Sequence, residues 1–504
     1  MNSKNILKLV PIFLISFFLA GCSSTKQLPI STTMKYSPQE LKEDFNFLIQ
    51  TDEQVHPNLF VHTSKVVFDS MITVIQAKLN KPMTSFDFYM LIEPAISKLR
   101  DGHTFLMFPY VFRQKYLDNG GRIIPFDIYL KDGKMFVSKN YSSDSTLSAN
   151  SEIISINSVK APNILERLRN YTAGEFSSIQ NYKIENSFKP LLWACYGFNG
   201  PFNVKYISSL GKKSYKKTFA GITGSKFDSL LLRSKKIKHK YQKWTFKFID
   251  KNEIALIDMN SFGLEKDLDI FNKFLDSSFT EIKQKKVHNL IIDVRNNGGG
   301  ESQLTEALVN FVAKKPWVLF SRADWKRSSQ SKSDMIPWYV RWIPIKTLFS
   351  LFGSMFTSQQ IGKVEYDSLQ ENLLHAYMKP ALKNNPLRFK GNIYVLINSG
   401  SFSASVLFAA VMKDYDFGTL IGEETGQSAN PFGGNYFFNL PHTNLQASVS
   451  TGRSYRPSGR ETGHGVIPDY FVKQSINSSE NGKDTVMEFT KKLIEKNIND
   501  RVAR

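Results

Sequence analysis

Two loops in this sequence carry residues able to do acyl chemistry. The first, Asp293-Val294-Arg295-Asn296-Asn297-Gly298-Gly299-Gly300, closes an apolar run over 289–294 that reads as a buried strand, and a helix is predicted from Ser302. A glycine triplet between strand and helix lets backbone N–H groups approach a ligand without interference from Cβ atoms. It has neither the Gly-x-Gly-x-x-Gly of a dinucleotide site nor the Gly-Lys-Ser/Thr of a P-loop. The uses left are an oxyanion hole or a plain structural turn. The second loop, Ser401-Phe402-Ser403-Ala404-Ser405, opens a predicted helix after another strand over 391–398. A serine there presents its hydroxyl at the sheet edge, where a helix N-terminus favours negative charge. Helix capping by Ser399 or Ser401 is the competing role. Taken singly, neither loop chooses between catalysis and structure.

A third motif, Asp101-Gly102-His103-Thr104, stands far upstream. Two more follow the serine loop: Ile421-Gly422-Glu423-Glu424-Thr425-Gly426 and Gly465-Val466-Ile467-Pro468-Asp469. The other histidines, 56, 62, 239, 288, 375, 442 and 464, show no repeated ligand spacing, and His-Glu-x-x-His is absent. Ser209-Leu210-Gly211-Lys212 fits Ser-x-x-Lys but lacks the Lys-Thr-Gly that a penicillin-binding site needs. With only 2 Cys, neither a disulfide scaffold nor a cysteine-based zinc cluster is available.

These motifs need elements to hold them. Residues 37–99 read as helices: Ser37-Pro38-Gln39-Glu40 supplies an N-cap, a proline at N1 and an acidic first turn, and Leu41, Phe45, Phe47 and Leu48 form an apolar stripe. Two further helices are expected over 68–79 and, capped by Ser85, over 86–99. Residues 122–219 read as short strands at 123–129, 135–138, 153–156, 202–207 and 215–219, with one helix at 162–170. That order, with Asn150-Ser151-Glu152-Ile153-Ile154-Ser155-Ile156-Asn157 before the helix, resembles a PDZ domain, in which a peptide C-terminus binds by strand addition. From 248 to 472 strands and helices alternate, which predicts an α/β core with active residues at the carboxyl ends of strands.

The five motifs appear in one order, and together they resemble the tail-specific (C-terminal processing) serine peptidase family, in its tricorn-like and retinoid-binding-protein-like branch. The resemblance runs from about Ser37 to the C-terminus. It implies an α/β fold of the ClpP/crotonase type, with a helical N-terminal region and a PDZ-like β-rich insert. It also implies Ser403 as nucleophile, and an oxyanion hole formed by the N–H of Ala404 with one from Gly300 or its neighbour Gly299. Many bacterial members use a lysine base in the segment here occupied by Gly426-Gln427-Ser428-Ala429, where Ser428 stands in its place. The tricorn-like branch uses a histidine and a glutamate instead, which fall on His103 and Glu461. No metal or organic cofactor is implied.

The N-terminus has a basic start with Lys4 and Lys8, an apolar run over 9–19 and the ending Leu19-Ala20-Gly21-Cys22. This describes a secretory signal too short to span a bilayer, and it resembles the lipobox of bacterial lipoproteins. The resemblance implies cleavage before Cys22, acylation of its thiol and new amino group, and a lipid anchor worth ~0.8 kcal/mol per buried methylene. The expected location is the bacterial cell envelope, on a periplasm-facing membrane. That compartment argues against a nucleic-acid partner despite the formal charge of +20, which suits anionic lipid headgroups as well.

The chain, 504 residues long, therefore divides into a signal peptide (1–21), a lipidated tether (22–36), a helical region (37–110), a PDZ-like domain (111–240), a catalytic core (241–475) and a C-terminal helix (476–504). An aromatic insertion over 335–357 contains Trp338, Tyr339, Trp342, Phe349, Phe352 and Phe356. Its possible roles are an interfacial segment, an active-site lid or a buried excursion. The function expected is a membrane-tethered serine endopeptidase acting on proteins or peptides, in contrast to a non-catalytic peptide- or lipid-binding protein on the same scaffold.

Overall fold

A computed structural model of the chain describes residues 30–227, 229, 242–250, 253–263, 268–326, 328, 330, 361–367, 373–474 and 483–502. The signal and lipobox, and the aromatic insertion at 335–357, lie outside the described residues. The remainder is a mixed α/β protein, and its described strands form three six-stranded sheets and one two-stranded ribbon.

The first sheet runs in the order Trp244–Ile249, Ile254–Met259, Asn289–Asp293, Asn392–Ile397, Thr419–Gly422, Tyr470–Phe471. Only the first pair is antiparallel. Alternate residues face opposite layers, as the pleat requires. Ala255, Ile257, Leu290, Ile292, Ile393 and Val395 pack with the helices Leu268–Gln284, Ser302–Val312 and Ala404–Asp414. Ile254, Leu256, Ile291, Tyr394 and Leu396 pack with Val486 and Ile494 of the helix Thr485–Val502. Burial on both faces explains why the sequence shows near-continuous apolar runs here. Both chemical loops leave this sheet at carboxyl ends of parallel strands, after Asp293 and after Ile397.

A second, antiparallel sheet orders Phe105–Leu106, Gln446–Tyr455, Arg322–Lys326, Leu373–Met378 and Ile361–Asp367, with Phe432–Asn439 also paired to Gln446–Tyr455. One face of it carries the N-terminal helices Pro38–Val55, Lys65–Lys78 and Ser85–Lys98, whose Leu41, Phe45, Phe88 and Ile92 share a core with Leu106, Phe438, Ala447 and Val449. Ser37 and Glu40 form a reciprocal capping box at the first helix. The third helix is capped by Thr84 with Asp87, so the expected cap Ser85 is its first residue. The strand Phe105–Leu106 pairs with Ser448 and Ala447, which brings the end of the helical region into a sheet built from the last third of the chain. The third sheet, Phe126–Lys131, Lys134–Asn140, Glu152–Ile156, Phe202–Ile207 and Ser214–Phe219, with Val159–Lys160 also paired to Glu152–Ile156, is antiparallel and carries the helix Ala161–Arg169. It also packs against a helix absent from the sequence reading, Ser177–Tyr196, which is kinked at Ser187 and contains Pro190.

Candidate active site

Ser403 ends the turn after the strand Asn392–Ile397 and immediately precedes the helix Ala404–Asp414, with φ +55° and ψ −121°. An L-residue rarely holds that conformation, and it persists only where its surroundings fix it. Here they do. Ser401 Oγ donates to the Val294 carbonyl at 2.7 Å, Phe402 N–H to the Asn297 carbonyl at 3.0 Å, and Ser405 Oγ to the same carbonyl at 2.9 Å. Ser401 and Ser405 thus tie the serine turn to the glycine-triplet loop. That loop is pinned in turn by Arg295, which bridges Asp293 and Asp484 at 2.6 Å each.

The triplet lies against Ser403. A Cβ on Gly299 would come within 2.6 Å of Ser403 Cβ and 2.9 Å of Ala404 N, so only glycine allows this approach. Gly299 N–H itself donates to Asn297 Oδ1 at 2.9 Å. Gly300, the other triplet position named from the sequence, packs against the Phe262 and Gly263 backbone, and Ala404 is the first residue of the helix.

His103 reaches the site from the other end of the chain. Its Nε2 is 3.1 Å from Ser403 Oγ, across 300 residues of sequence. Its ring stacks on Phe402 with centroids 4.7 Å apart. A Cβ on Gly102 would stand 2.6 Å from Phe402 Cζ, so the residue before the histidine must be small for that stack to close. The loop is folded around one carboxylate: Asp101 Oδ1 accepts His103 N–H at 3.0 Å, and Oδ2 accepts Thr104 Oγ1 at 2.7 Å and bonds Ser450 Oγ. His56 Nε2 lies 3.2 Å from the same Oδ2. Burial alone would raise the Asp101 pKa, but the hydrogen bond and charge of His56, with smaller contributions from His103 and Ser450, hold it below the usual carboxylate range. Burial pushes His103 down to about 4; the Asp101 charge opposes this and the Lys183 ammonium adds to it. The imidazole is therefore neutral at physiological pH, as a base must be.

Glu461 does not join this pair. It lies near the surface, its side chain 55% exposed and paired with Arg453 at 3.0 Å. The Nδ1 edge of His103 is met instead by Gln427 Nε2 at 3.2 Å. The expected glutamate partner is thus replaced by a buried amide, while Glu461 keeps a solvated ion pair that costs less than burying its charge. Ser428, at the place of the lysine base, holds no cation; its N–H donates to Glu175 Oε2 at 3.1 Å. The two downstream motifs act as braces. Thr425 N–H donates to the Val466 carbonyl at 3.3 Å, Val466 N–H returns to Thr425 Oγ1 at 2.8 Å, and Leu420 N–H donates to Asp469 Oδ2 at 2.8 Å.

Besides Ser450 and His56 at Asp101, sequence reasoning missed Gln427, Lys183 and Glu175. Gln427 sits one position before Ser428 in a short polar loop, where no periodicity marks it as buried. Lys183 and Glu175 belong to the unanticipated helix Ser177–Tyr196 and the segment before it. Lys183 Nζ donates to the Ala173 carbonyl at 2.6 Å, stands 5.5 Å from the Phe402 ring centroid and is pulled by burial to about 8.

Residues 253–472 match the family model described as Peptidase family S41. This stretch holds Ser403, Ala404, the glycine triplet, Gln427 and Glu461, and leaves out His103. The tail-specific protease of Haemophilus influenzae (strain ATCC 51907 / DSM 11121 / KW20 / Rd) is 28% identical over 262 residues, covering 50% of this chain and 30% of that protein. The match thus spans under a third of the relative's length. Among solved structures, mature CPAF aligns with TM-score 0.58 at 13% identity, over 87% of this chain and 94% of that one. Mature CPAF complexed with lactacystin aligns with TM-score 0.60 at 14% identity, over 92% and 100%. These two likenesses are of fold.

Proposed function

We propose that the chain, whose residues 253–472 match the family model described as Peptidase family S41, is a serine endopeptidase whose base is His103. Ser403 Oγ attacks the scissile carbonyl carbon, and His103 accepts its proton. The developing oxyanion is met by the N–H groups of Ala404 and Gly300. The carbon–nitrogen bond then breaks, His103 returns the proton to the leaving amine, and water hydrolyses the acyl-enzyme by the same steps. The 3.1 Å approach of His103 Nε2 to a strained serine at a helix N-terminus carries this reading. A fluorophosphonate probe tests it: labelling of the purified protein is expected, and Ser403→Ala should abolish it. A folded wild-type protein that takes no label would favour a binding role on the same scaffold.

The reading extends to location and substrate. Acylated Cys22 would tether the enzyme to a membrane; of the tether expected over 22–36, Tyr36 is buried in the helical region and pairs with Met83, so the spacer would be shorter. Cys22→Ser should then lose lipid labelling and leave the membrane fraction; a variant still bound in high salt would exclude the lipid as main anchor. Substrates would be proteins or peptides. Recognition of chain ends would fall to the third sheet. Strand addition at the edge strand Phe126–Lys131 would have to compete with Glu185, whose Oε1 already accepts Leu130 N–H at 2.6 Å.

A further inference from the structure

Gln427 touches both members of the catalytic pair with one carboxamide. Its Oε1 accepts Ser403 N–H at 3.1 Å, its Nε2 donates to the Phe432 carbonyl at 2.8 Å, and Nε2 also lies 3.2 Å from His103 Nδ1. The two backbone partners fix which end is oxygen. A backbone N–H can only donate and a carbonyl can only accept, so exchanging the amide atoms would set donor against donor at Ser403 and acceptor against acceptor at Phe432. One amide hydrogen serves Phe432. The other points at His103 Nδ1 and requires a lone pair there.

That requirement decides the proton on the ring. A neutral imidazole with its lone pair on Nδ1 carries hydrogen on Nε2, the atom that faces Ser403 Oγ. A base for Ser403 needs the opposite arrangement, with Nδ1–H and a free Nε2. In a serine–histidine–carboxylate site the carboxylate enforces the productive tautomer; here a donor occupies its place and enforces the other.

We infer that Gln427 is a positioning residue that holds His103 in the Nε2–H tautomer, so that the state seen here is latent. Activation breaks the Gln427–His103 contact and exchanges the ring proton: Nε2 releases one to solvent and Nδ1 takes one up, with no net change in charge. Burial supports this, because a ring that stays neutral down to about pH 4 has a tautomer to fix at neutral pH. The charged groups facing it, Asp101 and Lys183, act on its ionisation, whereas Gln427 is bonded to Nδ1. The inference rests on the reading of Ser403 and His103 as a reacting pair, and its test separates the two.

Full-length protein carrying ¹⁵N-histidine reports tautomers through two-bond ¹H–¹⁵N couplings, and loss of a signal in His103→Gln assigns the ring among the 8 histidines. The wild type should show Nε2–H. Gln427→Glu puts an acceptor opposite Nδ1, so His103 should convert to Nδ1–H or to imidazolium. The acid limb of Ser403 acylation by fluorophosphonate should move to higher pH, and its rate at pH 8 should rise about tenfold, the equivalent of one opposing hydrogen bond. Gln427→Met, which removes the bonds without adding charge, should give mixed tautomers and a smaller rise. A wild-type ring already in the Nδ1–H form, or Nε2–H persisting in both variants, overturns the inference. Tautomers that behave as stated while Ser403 is never labelled in any variant would leave the Gln427 assignment standing and sink the peptidase reading.

Discussion

The serine loop and the histidine loop are held by different kinds of bond. Ser403 is set by neutral contacts to main-chain carbonyls: Val294 and Asn297 receive bonds from Ser401, Phe402 and Ser405. His103 is set by one buried carboxylate, Asp101, that gathers the His103 N–H, Thr104, Ser450 and His56. The bonds that hold Ser403 therefore involve no titrating group themselves, although the loop they reach is pinned by the Arg295 ion pairs with Asp293 and Asp484. The position of His103 depends on an ionised group, and its protonation on burial and on the amide at Nδ1. On the histidine side His103, Asp101 and His56 come from outside the segment that matches the family model, whereas Ser450 and Gln427 lie inside it.

The largest effect should come from removing the base. His103→Ala is expected to slow acylation of Ser403 by ~10²–10⁴-fold, whereas Ser428→Ala should matter far less. In the wild type the acid limb should lie near pH 4, because burial holds the imidazole there. Near-normal rates in His103→Ala would mean that the two loops are brought together for something other than proton transfer. Smaller, and specific to the histidine side, is Gly102→Ala. Its Cβ would enter the Phe402 ring at 2.6 Å, forcing the stack to open at a cost of about 1–3 kcal/mol and slowing acylation by roughly tenfold. An unchanged rate would show that Phe402 moves aside freely and that the stack does not position His103.

The serine side was legible from sequence for the same reason that it is rigid. Strand, turn and helix follow one another locally, so Asn289–Asp293 with its glycine triplet, and Asn392–Ile397 with Ser403, announce themselves through apolar runs and turn residues. The histidine side is assembled from distant parts. Asp101-Gly102-His103-Thr104 could be named only through the family resemblance, and its partners Ser450, His56 and Gln427 meet it through tertiary contacts that leave no spacing signal. Glu461 shows the limit. A motif position suggested the carboxylate, but local pairing with Arg453 and the presence of Gln427 at Nδ1 send it elsewhere. The helix Ser177–Tyr196 escaped because Pro190 and the bend at Ser187 break its period.

The smallest effect should appear where the third sheet's helix meets the catalytic loops. Glu175 is buried, accepts the Ser428 N–H with Oε2, and among the described residues has no partner for Oε1. Burial raises its pKa to about 8, with the Asp101 charge adding to the rise. A raised carboxyl stabilises the fold while both states hold the proton, below the unfolded value of ~4.3. As pH climbs from there to about 8, the unfolded chain has released the proton and the native one has not, so stability falls by up to about 1.4 kcal/mol per unit. Above about 8 both states are ionised and the slope ends. Glu93, raised to about 7 by burial, adds a fall of the same sign over a shorter window. Glu175→Gln keeps an oxygen for Ser428 N–H and removes the titration. Its urea midpoint should match the wild type near pH 4 and exceed it at pH 8, while the rate of Ser403 labelling at pH 7 changes by no more than a few-fold. Parallel midpoint-against-pH curves for the two proteins would mean that Glu175 ionises in the native state as freely as in the unfolded one, and that the junction carries no proton-dependent strain.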